Sequence, residues 1–286
     1  MTEKITKRKY IAAFLLFLAL ASSGCKDAGI TESQSKSLVV EAFLYTGQKV
    51  ENVRISETLP LGSEDTLAPP VSDAQVILYK NGIPHELIPN PASPGYYIYN
   101  GEDLTVEPGN SFSIVVNYKG SKITSSTVVP QKPENVRISD TTLVLPAASG
   151  WTPGEDGGIP PRDTASIYLR WNNPDSSLYY VVIENLETSP VEINSGRGAF
   201  GNGGFMRRMT FPPGPTKEFV IARRNLTYYG RHKAIVYKVN QEYADLYESR
   251  NQDSRNLNEP LTNIINGLGV FSAFASQEVY FDVVSQ

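Results

Sequence analysis

The sequence has little of the chemistry on which most enzymes and metal sites depend. It holds one cysteine, two histidines, three methionines and two tryptophans in 286 residues. A lone cysteine excludes an intrachain disulfide, and two histidines leave few ligands for zinc and few bases for a hydrolytic triad. Proline, glycine and tyrosine are plentiful, at 20, 22 and 16 residues. This composition favours strands and turns over a helical bundle.

Motifs for nucleotide binding or nucleophilic catalysis are also missing. No Walker A string and no Gly-x-Ser-x-Gly elbow occurs. Residues 196–201 match Gly-x-Gly-x-x-Gly, but Asn202-Gly203-Gly204 follows and would break the helix that a dinucleotide site needs. Adjacent acidic residues at 64–65, 102–103 and 155–156 lie in turn-like contexts. We therefore predict a protein that is not an enzyme, with no catalytic residues, no metal site and no cofactor.

The first 24 residues have the features of an export signal. A basic leader from Lys4 to Tyr10 precedes eleven apolar residues, Ile11 to Ala21, and a small-residue stretch leads up to Cys25. Eleven apolar residues are too few for a membrane-spanning helix, which needs about 20, but suit the core of a cleaved signal peptide. Residues 1–24 are therefore predicted to be a lipoprotein signal peptide.

The position of Cys25, directly after the small residues, resembles a bacterial lipobox. In that case Cys25 becomes the acylated first residue of the mature protein, and its lipid anchors the protein to the outer membrane. Residues 25–36 then form a polar tether. Lys26-Asp27 partly resembles a signal for the outer face of the outer membrane, so the cell surface is favoured over the periplasmic face. The alternative is an ordinary signal peptide with an incidental cysteine.

The remainder shows the period of β-strands. Apolar and polar residues alternate in 38–44, 74–78, 112–118 and 167–171, with turn residues such as Asn81-Gly82 and Lys119-Gly120 between runs. Pro130 and Pro133 interrupt the pattern. We predict an all-β protein of two antiparallel β-sandwich domains, 37–130 and 134–286. Only one stretch, near 241–251, has helical spacing.

Positive charge is concentrated in residues 197–233, termed here the basic segment. Eight basic residues against Glu218 alone give it a net charge of +7, whereas the whole chain carries −4. Such asymmetry favours a surface that binds an acidic glycan, lipid phosphate or acidic protein. Because the protein is predicted to be exported, we expect no nucleic-acid partner. The alternative is a set of solvent-facing strand and loop residues. The candidate partner-binding residues are Arg197, Arg207, Arg208, Arg223, Arg224, Arg231 and Lys233.

Several strings, in order, resemble the lipoprotein family of the Bacteroidota called domain of unknown function 4249 (DUF4249). They are residues 38–44, 53–56, 70–76, 95–97, 128–130 and the most distinctive, Asn263-Ile264-Ile265-Asn266-Gly267-Leu268-Gly269-Val270-Phe271. Residues 71–130 also resemble a transthyretin-like or immunoglobulin-like sandwich module. The family resemblance implies an outer-membrane lipoprotein, often encoded beside a TonB-dependent receptor, with no known catalytic residues.

Three triplets resemble the Asp-Ser/Thr-x acceptor used for O-glycosylation of exported proteins in the same phylum. Their acceptor residues are Thr66, Thr141 and Thr164.

Two functional hypotheses follow. In the first, the protein is an accessory or ligand-capture partner of a TonB-dependent receptor in nutrient uptake. In the second, it is an independent glycan-binding or adhesive surface module, for which the tyrosine and tryptophan content is the argument. Trp171 falls on the apolar face of the alternating run and is predicted to be in the core, whereas Trp151 lies in a predicted loop.

Overall fold

The alternation of apolar and polar residues produces strands with one buried face. The computed structural model describes residues 37–59, 63–145, 165–193, 207–250 and 261–286. In the first strand every second residue, from Leu38 to Leu44, is buried, as the sequence predicts. The described strands and helix are β1 (Leu38–Tyr45), β2 (Val53–Glu57), β3 (Gln75–Lys80), β4 (Ile83–Pro89), β5 (Tyr96–Ile98), β6 (Ser111–Tyr118), β7 (Ser121–Val128), β8 (Glu134–Ile138), β9 (Thr142–Leu145), β10 (Ser166–Asn172), β11 (Leu178–Asn185), β12 (Arg208–Thr210), β13 (Glu218–Ala222), β14 (Gly230–Val239), α1 (Gln241–Arg250) and β15 (Leu268–Ser285).

Two hairpins use the tight turns that the sequence indicates. Asn81 and Gly82 connect β3 to β4 with φ angles of 50° and 85°, and Lys119 and Gly120 connect β6 to β7 with 46° and 81°. Two consecutive residues with positive φ make the turn that matches the twist of the strands. The predicted hairpin at Lys119-Gly120 is confirmed.

The strands form two sheets. Twelve strands belong to the larger sheet, in the order β12-β11-β14-β15-β1-β2-β5-β4-β3-β6-β7, with β9 paired to β15. The smaller sheet has the order β13-β10-β8. Apart from a short 3₁₀ turn at Arg223–Asn225, α1 is the only helix in the described ranges. The all-β sandwich class is thereby confirmed.

The long strand β15 takes part in both halves of the molecule. Its first half pairs in parallel with β1, and its second half pairs antiparallel with β14. At the end of β15, Asp282 to Ser285 also pair in parallel with β9. Alternation predicts only 278–284 as this strand, because Val270 to Ala275 are all buried and do not alternate.

Of the three hydrophobic clusters in the described residues, one is built around Tyr180, Tyr237 and Phe274 on β11, β14 and β15, and the other two lie on either side of the predicted boundary. Of these two, one is built almost entirely from residues before Val129, and the other from residues between Leu143 and Val236. β15 contributes Phe271 to the first and Phe281 to the second. Ser37–Gln286 form one compact unit. The division at 130–134 into two domains stays a prediction.

The start of β15 depends on a close approach of two backbones. Gly269 has a φ of 107° and lies opposite Val40 in the parallel pairing. A Cβ atom at position 269 would collide with the carbonyl group of Val40. Only glycine combines this φ with so close a contact.

The predicted helix is present as α1, and a carboxylate attaches it to the sheet. Glu242 Oε1 accepts hydrogen bonds from Thr127 Oγ1 at 2.7 Å on β7 and from Ser272 Oγ at 3.3 Å on β15. Asn240 Nδ2, just before the helix, donates to the carbonyl of Val128 at 2.8 Å. The helix is therefore fixed by hydrogen bonds to β7 and β15.

Candidate ligand-binding groove

Charged side chains form a row across the smaller sheet. Arg137 on β8 lies directly opposite Arg170 on β10, and Arg170 lies directly opposite Glu218 on β13. Directly paired residues project from the same face of a sheet. On β10 the other face carries Leu169 and Trp171, which are buried in the core. The row therefore occupies the outer face.

An open groove runs beside this row, with a volume of about 540 Å³. This volume is within the range of small-molecule sites, about 300–1,000 Å³. Its walls come from all three strands of the small sheet and from the residues that follow β10 and precede β13. The lining residues are Arg137, Arg170, Trp171, Asn172, Asn173, Pro174, Lys217 and Glu218.

The three cations of the groove differ in their partners. Arg170 donates from Nε to Glu218 Oε2, and its guanidinium carbon lies 4.7 Å from the centre of the Tyr168 ring. Arg137 and Lys217 are exposed, and neither forms an ion pair with any residue in the described ranges. Two cations are thus free to meet an anion.

Amide and indole groups build the wall between these charges. Trp171 is 4% exposed and donates from Nε1 to the carbonyl of Thr216 at 2.9 Å. Asn173 Nδ2 donates to the same carbonyl at 3.0 Å and to the carbonyl of Ser177 at 2.9 Å. Its Oδ1 is buried and has no hydrogen-bond donor among the residues that the structure describes. The wall therefore retains one unused acceptor.

Part of the predicted basic segment is neutralised by neighbouring carboxylates. Arg231 on β14 donates to Asp282 on β15 at 2.8 Å. Lys233 lies 3.6 Å from Glu184 and 3.4 Å from Glu278, on the two strands that flank it. The proximity of these carboxylates raises the pKa of Lys233 although partial burial opposes the shift. Arg231, Lys233 and their carboxylate partners Asp282, Glu184 and Glu278 are termed the paired surface.

The other predicted basic residues have diverse surroundings. Arg207 donates to the carbonyl of Thr188 at 3.0 Å, and Arg223 to that of Ile193 at 3.5 Å. Arg208 is exposed at the start of β12, and its charge opposes the rise that burial causes in the pKa of Tyr237. Arg224 is exposed, whereas Arg197 lies outside the described residues. A partner for the basic segment stays a prediction.

Two of the three predicted glycosylation residues can be located. Thr66 and Thr141 are exposed, as an acceptor must be. Asp140, ahead of Thr141, accepts a hydrogen bond from the Thr142 amide at 3.0 Å and so fixes this turn. Thr164 and the lipidation residue Cys25 lie outside the described residues. All four assignments stay predictions.

Both histidines are held in structural positions. His85 is buried, with its ring edge-on to Tyr99 at 5.2 Å. His232 stacks on Phe281; its Nδ1 donates to the carbonyl of Gly230 at 2.9 Å, and Nε2 accepts from Asn185 Nδ2 at 3.2 Å. Burial lowers the pKa of His232. The described ranges contain no cluster of three His, Cys, Asp or Glu side chains able to hold a metal.

Many of the tyrosines that suggested sugar stacking are packed inside. Tyr180 and Tyr237 stack with ring centres 4.7 Å apart, and Tyr45 stacks on Phe274 at 4.8 Å. Burial, reinforced by the neighbouring tyrosines, raises the pKa of Tyr45 to about 12. Tyr168, by contrast, is 36% exposed beside the groove. Trp151 lies outside the described residues.

Sequence reasoning missed the central residues of the groove. Arg137 and Arg170 fall outside the basic segment, and only strand pairing brings them together. Their one signal is the polar face of β10, where Tyr168 and Arg170 alternate with buried residues. Lys217 is inside the basic segment but is absent from the predicted binding residues.

Comparison with known proteins gives one strong match. The family model described as "Domain of unknown function (DUF4249)" matches residues 27–279. No curated protein has a similar sequence. Within the described ranges, no helix is long and apolar enough to span a membrane.

Two solved structures of multidomain proteins are distantly similar to this chain. The chicken CNTN1 FN1–FN3 domains align over 86% of this chain and 67% of theirs, at 10% identity and a TM-score of 0.25. Domains A168–A170 from titin align over 72% and 61%, at 13% identity and a TM-score of 0.19. Superpositions this weak add nothing to the fold beyond what the strand pairings establish.

Proposed function

The chain belongs to the DUF4249 family, and we propose that it is a non-catalytic, lipid-anchored outer-membrane protein that captures a ligand as the partner of a TonB-dependent receptor in nutrient uptake. The groove on the small sheet is the observation that carries the capture role. It is open and of suitable volume, and its cations Arg137 and Lys217 form no ion pair with any residue that the structure describes. The family resemblance supports the receptor as the partner.

The positions of the ionisable groups support a binding role over catalysis. Both histidines are used in packing and hydrogen bonding, as described above. Of the acidic pairs, Glu64-Asp65 and Glu102-Asp103 are exposed, and Asp103 accepts a hydrogen bond from the Tyr99 hydroxyl at 2.7 Å. Hydrolysis by two carboxylates needs them to face each other across a cleft. The groove has a single carboxylate among its lining residues, Glu218.

A crosslinked pull-down from native outer membranes tests the receptor partnership. The wild-type chain is compared with a Cys25→Ala variant, which lacks the predicted acylation site and is expected to lose its membrane location. We expect a specific outer-membrane barrel protein to be captured with the wild type only. Capture of the same protein by both chains, or of none by either, would refute this partnership.

An independent glycan-binding module is the second candidate. The groove favours it, because an exposed tyrosine, Tyr168, and a buried tryptophan, Trp171, lie beside guanidinium and amide groups without needing a second protein. Retention of the chain on a glycan array, together with no barrel partner in the pull-down, is the result expected from this function.

A further inference from the structure

The like charges of Arg137 and Arg170 imply a missing anion. Like charges directly opposite each other across two strands are unfavourable, and the Cβ atoms of such a pair are about 4.5–5.5 Å apart. Glu218 compensates Arg170 from the far side, but Arg137 has no carboxylate partner in the described part of the chain. Guanidinium groups bind carboxylates through two parallel hydrogen bonds. A carboxylate at Arg137 would relieve this repulsion.

The rest of the groove indicates what surrounds that carboxylate. Beyond the cations, the lining consists of Trp171, Pro174, two asparagine amides and the carboxylate of Glu218, which is paired with Arg170. The exposed ring of Pro174 beside the exposed amide of Asn172 suits a ligand that has both apolar faces and hydroxyl groups. Asn173 Oδ1 lacks a donor, and a small outward shift of the wall would let a ligand hydroxyl, or a water, reach it.

From these features we propose that the groove binds a sugar acid, the uronate unit of an acidic oligosaccharide. Arg137 binds the carboxylate, Lys217 a second negative charge, and Asn172 and Asn173 the hydroxyl groups. The inference rests on the proposed function and names the class of ligand captured. An acidic peptide would satisfy the two cations equally well but would leave the Pro174 ring and the amides without a purpose.

Calorimetric titration of the purified full-length chain tests this assignment. The probes are a trisaccharide of uronic acid units, the same trisaccharide with its carboxyl groups reduced to alcohols, hexaglutamate, and inorganic phosphate. We expect binding of the uronate trisaccharide, with the reduced sugar at least about tenfold weaker because it loses the charge-assisted hydrogen bonds. Raising the salt concentration should weaken the uronate complex.

Matched variants localise the site. Arg137→Gln and Lys217→Gln should each weaken uronate binding, the former by about tenfold, since both remove an exposed cation of the groove. Lys122→Gln removes one exposed cation on β7, outside both the groove and the basic segment, and should bind like the wild type. All three side chains are exposed, so folding should be preserved, and circular dichroism checks this.

Three results would overturn the inference. They are hexaglutamate or phosphate binding as tightly as the uronate, equal loss in the Arg137 and Lys122 variants, and no uronate binding at millimolar concentration. A barrel protein captured in the pull-down together with any of these results would reject the sugar-acid class while leaving the receptor partnership standing. Uronate binding without a barrel partner would support the sugar-acid class and reject the receptor partnership.

Discussion

The paired surface and the groove both carry cations, but of the two only the groove has cations without a carboxylate partner among the described residues. Arg231 and Lys233 lie on a central strand, β14, with acidic residues on both neighbouring strands. Arg137 lies on β8, at the edge of the small sheet within the described residues, and the residue directly opposite it is another arginine, Arg170. The comparison teaches that strand pairing, and not the count of charges along the chain, decides which cations remain free.

The two regions also differ in how they join the core. The paired surface lies on the long antiparallel ladder of β14 and β15, which extends over ten residue pairs. The groove lies on a three-stranded sheet held to the core by the buried face of β10, including Trp171. The groove should therefore be the more sensitive of the two to loss of a single core side chain.

Trp171→Ala should have the largest effect. It removes a large side chain that is 4% exposed, and truncation of a buried aromatic residue costs about 3–5 kcal/mol. The free energy of unfolding, measured by urea denaturation followed by circular dichroism, should fall by that amount. The control is Tyr168→Ala on the opposite face of β10, which should cost less than about 1 kcal/mol. Equal losses would show that the sheet does not depend on its buried face.

A smaller effect should appear when the pH is lowered. His232 is buried between the paired surface and the core, and burial lowers its pKa in the folded state. Nε2 accepts from Asn185 Nδ2, so protonation would place a second donor against that amide. The contact with Gly230 and the charges of Glu187 and Asp282 oppose this shift only in part.

The direction of the pH effect follows from linkage. Below about pH 6.5 the unfolded chain binds a proton at His232 while the folded chain does not. Stability should therefore fall as the pH drops from about 6.5 to the lowered pKa of the folded state. Urea midpoints of the wild type and His232→Gln, measured at pH 7.5 and 5.5, check this. An equal fall in both chains would show that His232 does not cause the loss of stability, because the variant lacks the His232 imidazole.

Sequence patterns predicted more of the fold than of the groove. Alternation identified β1, β6, β10 and the hairpin turns because a half-buried strand imposes a period of two on its own residues. The parallel pairing of β1 with β15 was not predicted, since alternation does not specify a partner strand. The consecutive buried residues of β15 pack on both faces and so lack the pattern altogether.

The groove was harder to predict because it depends on register. Arg137 faces Arg170 only through the pairing of β8 with β10. The register of this pairing shifts between Arg170 and Asn172. A one-residue shift would turn Arg137 to the other face. The basic segment, in contrast, is visible as a local excess of charge. That excess could not show that Asp282 and Glu278, far along the chain, would lie beside Arg231 and Lys233.

The smallest effects should separate the two cationic regions most sharply. Glu218→Gln and Asp282→Asn each remove the carboxylate partner of one arginine, and both ion pairs are partly exposed. Each substitution should lower the free energy of unfolding by no more than about 1 kcal/mol. Their effects on anion binding should differ, because only the first frees an arginine inside the groove.

Titration with the uronate trisaccharide makes this difference measurable. Glu218→Gln should bind it about two- to fivefold more tightly, since Arg170 then joins Arg137 in an uncompensated pair. Asp282→Asn frees Arg231 on the paired surface and should bind like the wild type. If both variants gained affinity equally, net charge rather than position would control binding, and the distinction between the two surfaces would fail. A gain in Glu218→Gln alone would show that strand register creates the site.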